Sequence, residues 1–303
     1  MAETSTSATS RSVAERRALG RARPRLAGRI FTALAYAVLT AWAVLALFPI
    51  YWMFKNSFEP AMAMIVFPPT LLPVSPTLEN FEILMQRVPI WRWTLNTAFV
   101  SVARTAGALF FGSLAGYAFA KLKFVGREVI FWGLMSTLMI PSFITIIPQY
   151  QVIVALKWIN TYTALIVPGL TGGVWAMFLM RQFAKTLPTE LIESARIDGA
   201  SEFGIFVKVI LPLMKPGLAV LGIFTFIGNW NSFLWPLLVT TSNNMRLLAI
   251  GVSLLKGGTA SAQVASQGQV LAGSTIAAIP MIVIFFAFQR YFLRGITIGA
   301  IKG

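Results

Sequence analysis

The residues able to do chemistry gather between Arg181 and Pro216, and their types suit recognition rather than bond-making. Glu190, Glu193, Arg196, Asp198, Glu202 and Lys208 supply charge there, while Thr189, Gly199 and Ser201 supply caps and a turn. The chain has no His and no Cys. That excludes imidazole relays, thiolate nucleophiles, disulfides and the usual soft-metal sites. No G-x-x-x-x-G-K-[ST] run occurs, so there is no phosphate-cradling loop with which to hydrolyse a nucleotide. None of the ten acidic residues lies inside an apolar stretch, which leaves a proton or sodium pathway without carboxylates. Two further sets remain. Arg104 is the one charge deep in an apolar segment, and Asn229-Trp230-Asn231 places two amides beside an indole, a combination suited to sugar hydroxyls and a sugar face.

These residues need elements to hold them. Pro188-Thr189 is a helix-start signal, with Thr189 as the N-cap for a helix over Glu190–Ile197. Asp198-Gly199 stops it, because glycine accepts the positive φ of a helix end. Ser201 then caps a second helix, whose Phe203, Phe206, Val207, Ile210 and Leu211 recur at helical spacing. Pro212 and Pro216 bend or restart the chain. This helix, turn and helix admits three readings: a solvated loop, a DNA-reading helix-turn-helix, or a short helix that docks into a groove on a partner.

Composition decides the class. Of 303 residues, 57% are hydrophobic and only 12% charged, half the share of a soluble domain, and mean hydropathy is +0.74. The chain reads as all-α and polytopic in a membrane. Six spans are expected, at about 30–54, 93–120, 129–148, 161–180, 210–239 and 270–292, each near the roughly 20 residues a bilayer needs. The transport core is expected over about 93–293 within a domain of 30–303. Residues 1–29, Ser/Thr-rich and then Arg-rich, read as a disordered cytoplasmic segment; the apolar run after them is too long for a signal peptide and stays as the first span. The net charge of +15 follows from topology rather than nucleic acid. With the N-terminus inside, 18 basic residues fall on inner segments and six on outer ones, so both termini and loop 181–216 are expected in the cytosol. A loop at a membrane surface has no reason to read DNA, and docking is favoured over simple solvation.

The run Glu193-Ser194-Ala195-Arg196-Ile197-Asp198-Gly199-Ala200, continued by Ile210, Leu211-Pro212 and Lys215-Pro216, resembles the EAA loop of ABC-importer permeases. Ser194 replaces the usual second-position alanine, a change of little volume. The likeness extends over most of the chain after residue 30. It includes Pro49-Ile50-Tyr51-Trp52, Ala115-Gly116-Tyr117-Ala118-Phe119-Ala120, Ile147-Pro148-Gln149-Tyr150, Asn160-Thr161-Tyr162 and Trp230-Asn231-Ser232-Phe233-Leu234-Trp235-Pro236. Together these are similar to the smaller permease of maltose-type, carbohydrate-uptake importers. The resemblance implies a multi-pass subunit of a bacterial or archaeal cytoplasmic membrane that binds no cofactor itself. ATP and Mg would sit on partner ATPase subunits, two copies or a homodimer. A second, homologous permease and an extracytoplasmic sugar-binding protein would complete the complex. Glu190, Leu191, Glu193, Ser194, Ala195, Asp198, Gly199 and Ala200 would form the ATPase-coupling surface, with Leu191, Ile192 and Ala195 as its apolar contact side. The tail Arg294–Gly303 would reach between the ATPases.

Within the spans, Thr97, Ser101, Arg104, Thr105, Ala108 and Gly112 draw one small, polar stripe. It reads as a face toward the translocation path with Arg104 turned into the bundle; the alternative is an Arg104 satisfied by backbone carbonyls or snorkelling outward. Asn229, Trp230 and Asn231 read either as path residues or as interhelical hydrogen-bonding partners. Pro236 and Pro280 read as kinks. Uptake of a di- or oligosaccharide of the maltose or trehalose type is the function expected. Glycerol phosphate is an alternative substrate, and a membrane scaffold or signalling subunit is an alternative of a different class.

Overall fold

The computed structural model describes the backbone of residues 6–256 and 260–300 and the side chains of residues 28–255 and 267–289. Among the described residues every regular element is helical. Residues up to Lys55 form one compact unit and Asn56 onward a second. The first holds all but the last two residues of the helix α1, Thr6–Ser57, whose segment Gly28–Ser57 is long and apolar enough to cross a membrane. The expectation of disorder for residues 1–29 falls mainly on residues whose side chains are outside the described set, as does the expected role of the tail Arg294–Gly303.

The second unit is built on α3, Ile90–Lys121, an unbroken span candidate preceded by the short α2, Glu79–Arg87. Where one straight third span is expected, α4 (Arg127–Ser136) and α5 (Ser142–Ala155) meet at 99°. The cause lies at Ile140-Pro141, since the residue before a proline is held in an extended conformation that a helix cannot absorb. The expected fourth span is likewise α6 (Tyr162–Ile166), a short tight turn, and α7 (Gly173–Lys185), with a bend of 42° at residues 169–173. Then come α8 (Glu190–Ile197) and a composite second helix. The latter runs from α9 (Glu202–Ile205) through a π turn at Phe206–Ile210 into α10 (Leu211–Leu213). After Leu213 the chain turns 80° into α11, Lys215–Trp230. The expected fifth span of 210–239 is therefore too long at both ends: Ile210 and Leu211 belong to the loop, and Leu234–Val239 is a separate helix, α12. The short α13 (Leu248–Ser253) and the long α14 (Ala260–Ala300) complete the order, and Gln267–Gln289 of α14 is the third unbroken span candidate.

Three apolar clusters hold these elements. One, at the loop end, gathers Tyr117, Met180, Ile192, Ile205, Phe206, Ile210, Met214 and Leu221 from α3, α7, the loop helices and α11. A second, at the opposite end, centres on Leu84, Trp93, Trp230 and Leu248. The third joins Val100 of α3 to Ile153, Leu165, Val239 and Ile250. The α3–α7 crossing is close because its contact residues are small. A Cβ placed on Gly112 would lie 2.8 Å from that of Ala176, and one on Gly116 2.6 Å from that of Met180. Small residues at such crossings let two backbones approach where lipid offers no hydrophobic drive.

Candidate functional site

The loop forms largely as its residues dictate. The first helix occupies Glu190–Ile197, Gly199 has φ of 79°, and the Ser201 hydroxyl accepts from the Gly204 N–H at 3.2 Å. Thr189 departs from expectation. Its own backbone is helical and it makes no side-chain cap; instead its hydroxyl accepts from Lys121 Nζ at 3.2 Å. The same ammonium donates to the Leu187 carbonyl at 2.6 Å, so the end of α3 grips the approach to α8.

The tertiary structure corrects the expected contact face of α8. Ile192 is 1% exposed and sits in the loop-end cluster, with Ala195 packed partly against it. That side anchors the helix to its own chain; full burial of such a side chain is worth about 1.5–3 kcal/mol. Ile192 is thus unavailable to a partner and Ala195 only partly so. The outward face instead carries Glu190, Leu191, Glu193, Ser194 and Ile197, continues through Asp198, Gly199 and Ala200, and ends with Phe203 on the second helix. Ile197 is 87% exposed and Phe203, whose ring tilts against Phe206, is 59% exposed, large values for apolar side chains.

Sequence reasoning missed the polar network behind this face. Tyr117, buried in α3, donates its hydroxyl to Glu202 Oε2 at 2.9 Å. Arg196 of α8 donates through Nε to Glu202 Oε1 at 2.6 Å. That bond from Arg196, ahead of the one from Tyr117, holds the Glu202 carboxyl below the usual glutamate range. One turn of α3 away, Arg181 donates to Glu128 at 3.2 Å and to the Phe119 carbonyl at 3.3 Å, with its guanidinium 3.6 Å from the centre of the Phe131 ring. The available signal was a tyrosine and a lysine in the last turn of one span and an acidic residue after the Ser201 cap; nothing local says they meet.

The small polar stripe of α3 divides. Thr97, Ser101 and Ala108 are fully buried, and Thr97 Oγ1 accepts from the Leu248 N–H at 2.8 Å while donating to the Trp93 carbonyl. Ala108 and Gly112 lie in the crossing with the 172–176 segment. Most of the stripe is therefore a packing face. Arg104, half-buried, lies flat against Gly169, filling the place a Cβ would take there. Its Nε, together with Ser101 Oγ and Thr105 Oγ1, is buried without a hydrogen-bond partner. Trp230 donates to the Ala277 carbonyl at 3.1 Å and stacks on Phe226. Asn231 donates to the Ile227 carbonyl at 3.0 Å, and Asn229 is buried beside Trp230. The indole and the Asn231 amide are thus engaged within the chain, and they lie at the far end of the bundle from the loop. A cavity of about 430 Å³ between α3, α11 and α14 is lined almost wholly by apolar groups such as Leu109, Ile223 and Phe226. Among the described residues no three His, Cys, Asp or Glu side chains gather where a metal ion could bind.

The profile of binding-protein-dependent transport system inner membrane components matches residues 108–298, which include the loop and the α3–α7 crossing. The chain belongs to this family. As a binding-protein-dependent inner membrane component it is 39% identical, over 86% of its length and 93% of the relative's, to the arabinooligosaccharides transport system permease protein AraQ of Halalkalibacterium halodurans. It is 37% identical to the sn-glycerol-3-phosphate transport system permease protein UgpE of Salmonella typhi, over 89% of this chain and 97% of that one. Among solved structures, a chain from a bacterial ABC transporter involved in the import of the acidic polysaccharide alginate superposes with a TM-score of 0.77. It is 24% identical and covers 87% of this chain and 97% of its own. That likeness concerns the fold.

Proposed function

We propose that the chain is the membrane-spanning permease of an ABC importer for a di- or oligosaccharide, driven by a separate ATPase. Six spans would arise if each bent pair contributes one crossing, the third of them through α11 alone; the excess of basic residues on the inner segments would then put loop 181–216 and both termini on the cytoplasmic side. The outward face of α8 would dock on the ATPase: Glu190, Leu191, Glu193 and Ser194 for contact, and Asp198, Gly199 and Ala200 for the turn that presents it. Ala195 would hold the helix down. ATP and Mg would remain on the ATPase pair, with a second permease and an external binding protein completing the path. The observation that carries this reading is a family-matched loop whose first helix exposes Glu190, Leu191, Glu193 and Ile197 on one face.

The test is a purified complex assayed for subunit stoichiometry, ATP hydrolysis and uptake in proteoliposomes. The compounds offered are an arabinooligosaccharide, maltose, trehalose and glycerol 3-phosphate. Glu193→Lys reverses a charge on the docking face. Gly199→Val forces a β-branched residue to positive φ; no atom crowds that Cβ position, so the cost is backbone strain alone, about 1–3 kcal/mol. Both variants should insert normally and lose bound ATPase or ATP-driven uptake. Wild-type stoichiometry and uptake in both would return the loop to the solvated reading, and a complex that carries none of the four compounds would favour a scaffold. Uptake of glycerol 3-phosphate alone would select the second substrate reading, which the UgpE relative and the unpaired Arg104 cation support.

A further inference from the structure

The two loop helices meet at Gly199, and this turn has open space around it: nothing lies within 4 Å of where its Cβ would be. A glycine in open space can hinge, so packing at the turn does not set the angle between α8 and the second helix. The buried cluster that Ile192 shares with Ile205 and Phe206 holds the two helices together, and a three-residue bridge ties that arrangement to α3. Arg196 on α8 and Tyr117 on α3 converge on the two oxygens of one carboxylate, Glu202 at the start of the second helix, at 2.6 and 2.9 Å. The Tyr117 ring also stacks on Phe206, 5.9 Å between centroids and 30° between planes, where the π turn begins. Phe206 is completely buried. Lys121, one turn further along α3, holds Leu187 and Thr189 ahead of α8.

α3 is not a sequence neighbour of the loop; Tyr117 and Glu202 are 85 residues apart. The covalent successor, α11, leaves the loop through an 80° bend. A push on α8 therefore reaches an unbroken span most directly through side chains, into the end of α3. We propose that Tyr117 is a positioning residue for energy coupling: through Glu202 and Arg196 it locks both loop helices to α3, so that movement of a docked ATPase is delivered to that span. The Arg196–Glu202 pair is about half exposed and would be weak alone. Its role depends on the buried tyrosine that fixes the carboxylate from the other side.

This rests on the docking reading, and the experiment separates the two. Tyr117→Phe removes one hydroxyl and keeps the ring on Phe206. In the complete complex, using whichever of the four compounds the wild type carries, stoichiometry and ATP hydrolysis should stay near wild type. Uptake per ATP hydrolysed should fall about tenfold, within the range of ordinary coupling energies. Glu202→Gln should give a similar loss, Glu202→Asp a smaller one, and the Tyr117→Phe/Glu202→Gln double variant no more than the worse single, since each breaks the same bridge. A Tyr117→Phe complex with wild-type uptake per ATP, strictly additive losses, or loss of the ATPase subunit from Tyr117→Phe would each overturn the proposal. The docking reading stands or falls separately, on subunit stoichiometry in Glu193→Lys and Gly199→Val.

Discussion

The loop end and the middle of α3 handle buried polarity in opposite ways. At the loop end the buried Tyr117 and Arg181 both find partners within the chain, in the more exposed Glu202 and Glu128. Midway along the same helix, Arg104 Nε, Ser101 Oγ and Thr105 Oγ1 are buried and partnerless. An unsatisfied buried group costs about 1–3 kcal/mol, more when charged. The buried polar groups named at the loop end are satisfied within the chain, and the three in mid-span are not. On the proposed function, the loop end would present the docking face, and the three mid-span groups would await partners from a second permease or the carried solute.

The sharpest way to break this contrast is at the crossing both regions share. Gly116→Leu should be the most damaging change, because its Cβ would press within 2.7 Å of the Arg181 backbone nitrogen, which has nowhere to move. Overpacking of this kind costs about 3 kcal/mol or more, and the assembled complex recovered from membranes should fall at least tenfold. Near-normal recovery would mean that α3 and α7 are not packed as described.

Arg104→Leu comes next. Placing leucine for arginine at the centre of a span favours insertion by about 3 kcal/mol, so the amount of chain in the membrane should hold or rise. Uptake, or binding of the second permease, should fall about tenfold, as expected when the partner of a buried charge is left alone. Unchanged uptake and assembly would show that the orphaned guanidinium serves neither.

At the loop end, the two halves of one ion pair should differ. Arg181→Met loses the pair, the Phe119 carbonyl bond and the aromatic contact, and thermal unfolding of the complex should register about 2–3 kcal/mol. Glu128→Gln, on a side chain 53% exposed, should cost under about 1 kcal/mol. Equal effects would remove the burial argument.

The smallest effect is that of pH. The Glu202 carboxyl titrates below its ordinary 4.5, held there first by Arg196 and then by Tyr117. A lowered folded value contributes stability fully above the unfolded value and loses it as pH falls through the folded one. The stability difference between wild type and Glu202→Gln should therefore be flat from pH 6 to 8 and shrink only below about pH 4.5, with less than about 1 kcal/mol at stake because the group is half exposed. A difference that changed near neutrality would point to another group.

The sequence alone determined what short-range physics controls. Hydropathy set the helical membrane class, and Pro188, Gly199 and Ser201 set the bounds of α8 and the start of the next helix, because caps and positive φ are properties of a few adjacent residues. Residue order carried the family likeness for the same reason. The tertiary structure decided everything that depends on residues far apart along the chain. It turned Ile192 inward and left Ile197 outside, engaged Trp230 with Ala277, and split two expected spans at Pro141 and at residues 169–173. An apolar stretch records that a segment avoids water; it does not record which neighbour covers which side. Only the fold could bring Tyr117 to Glu202, since a hydrogen bond across 85 residues leaves no periodic trace in the sequence.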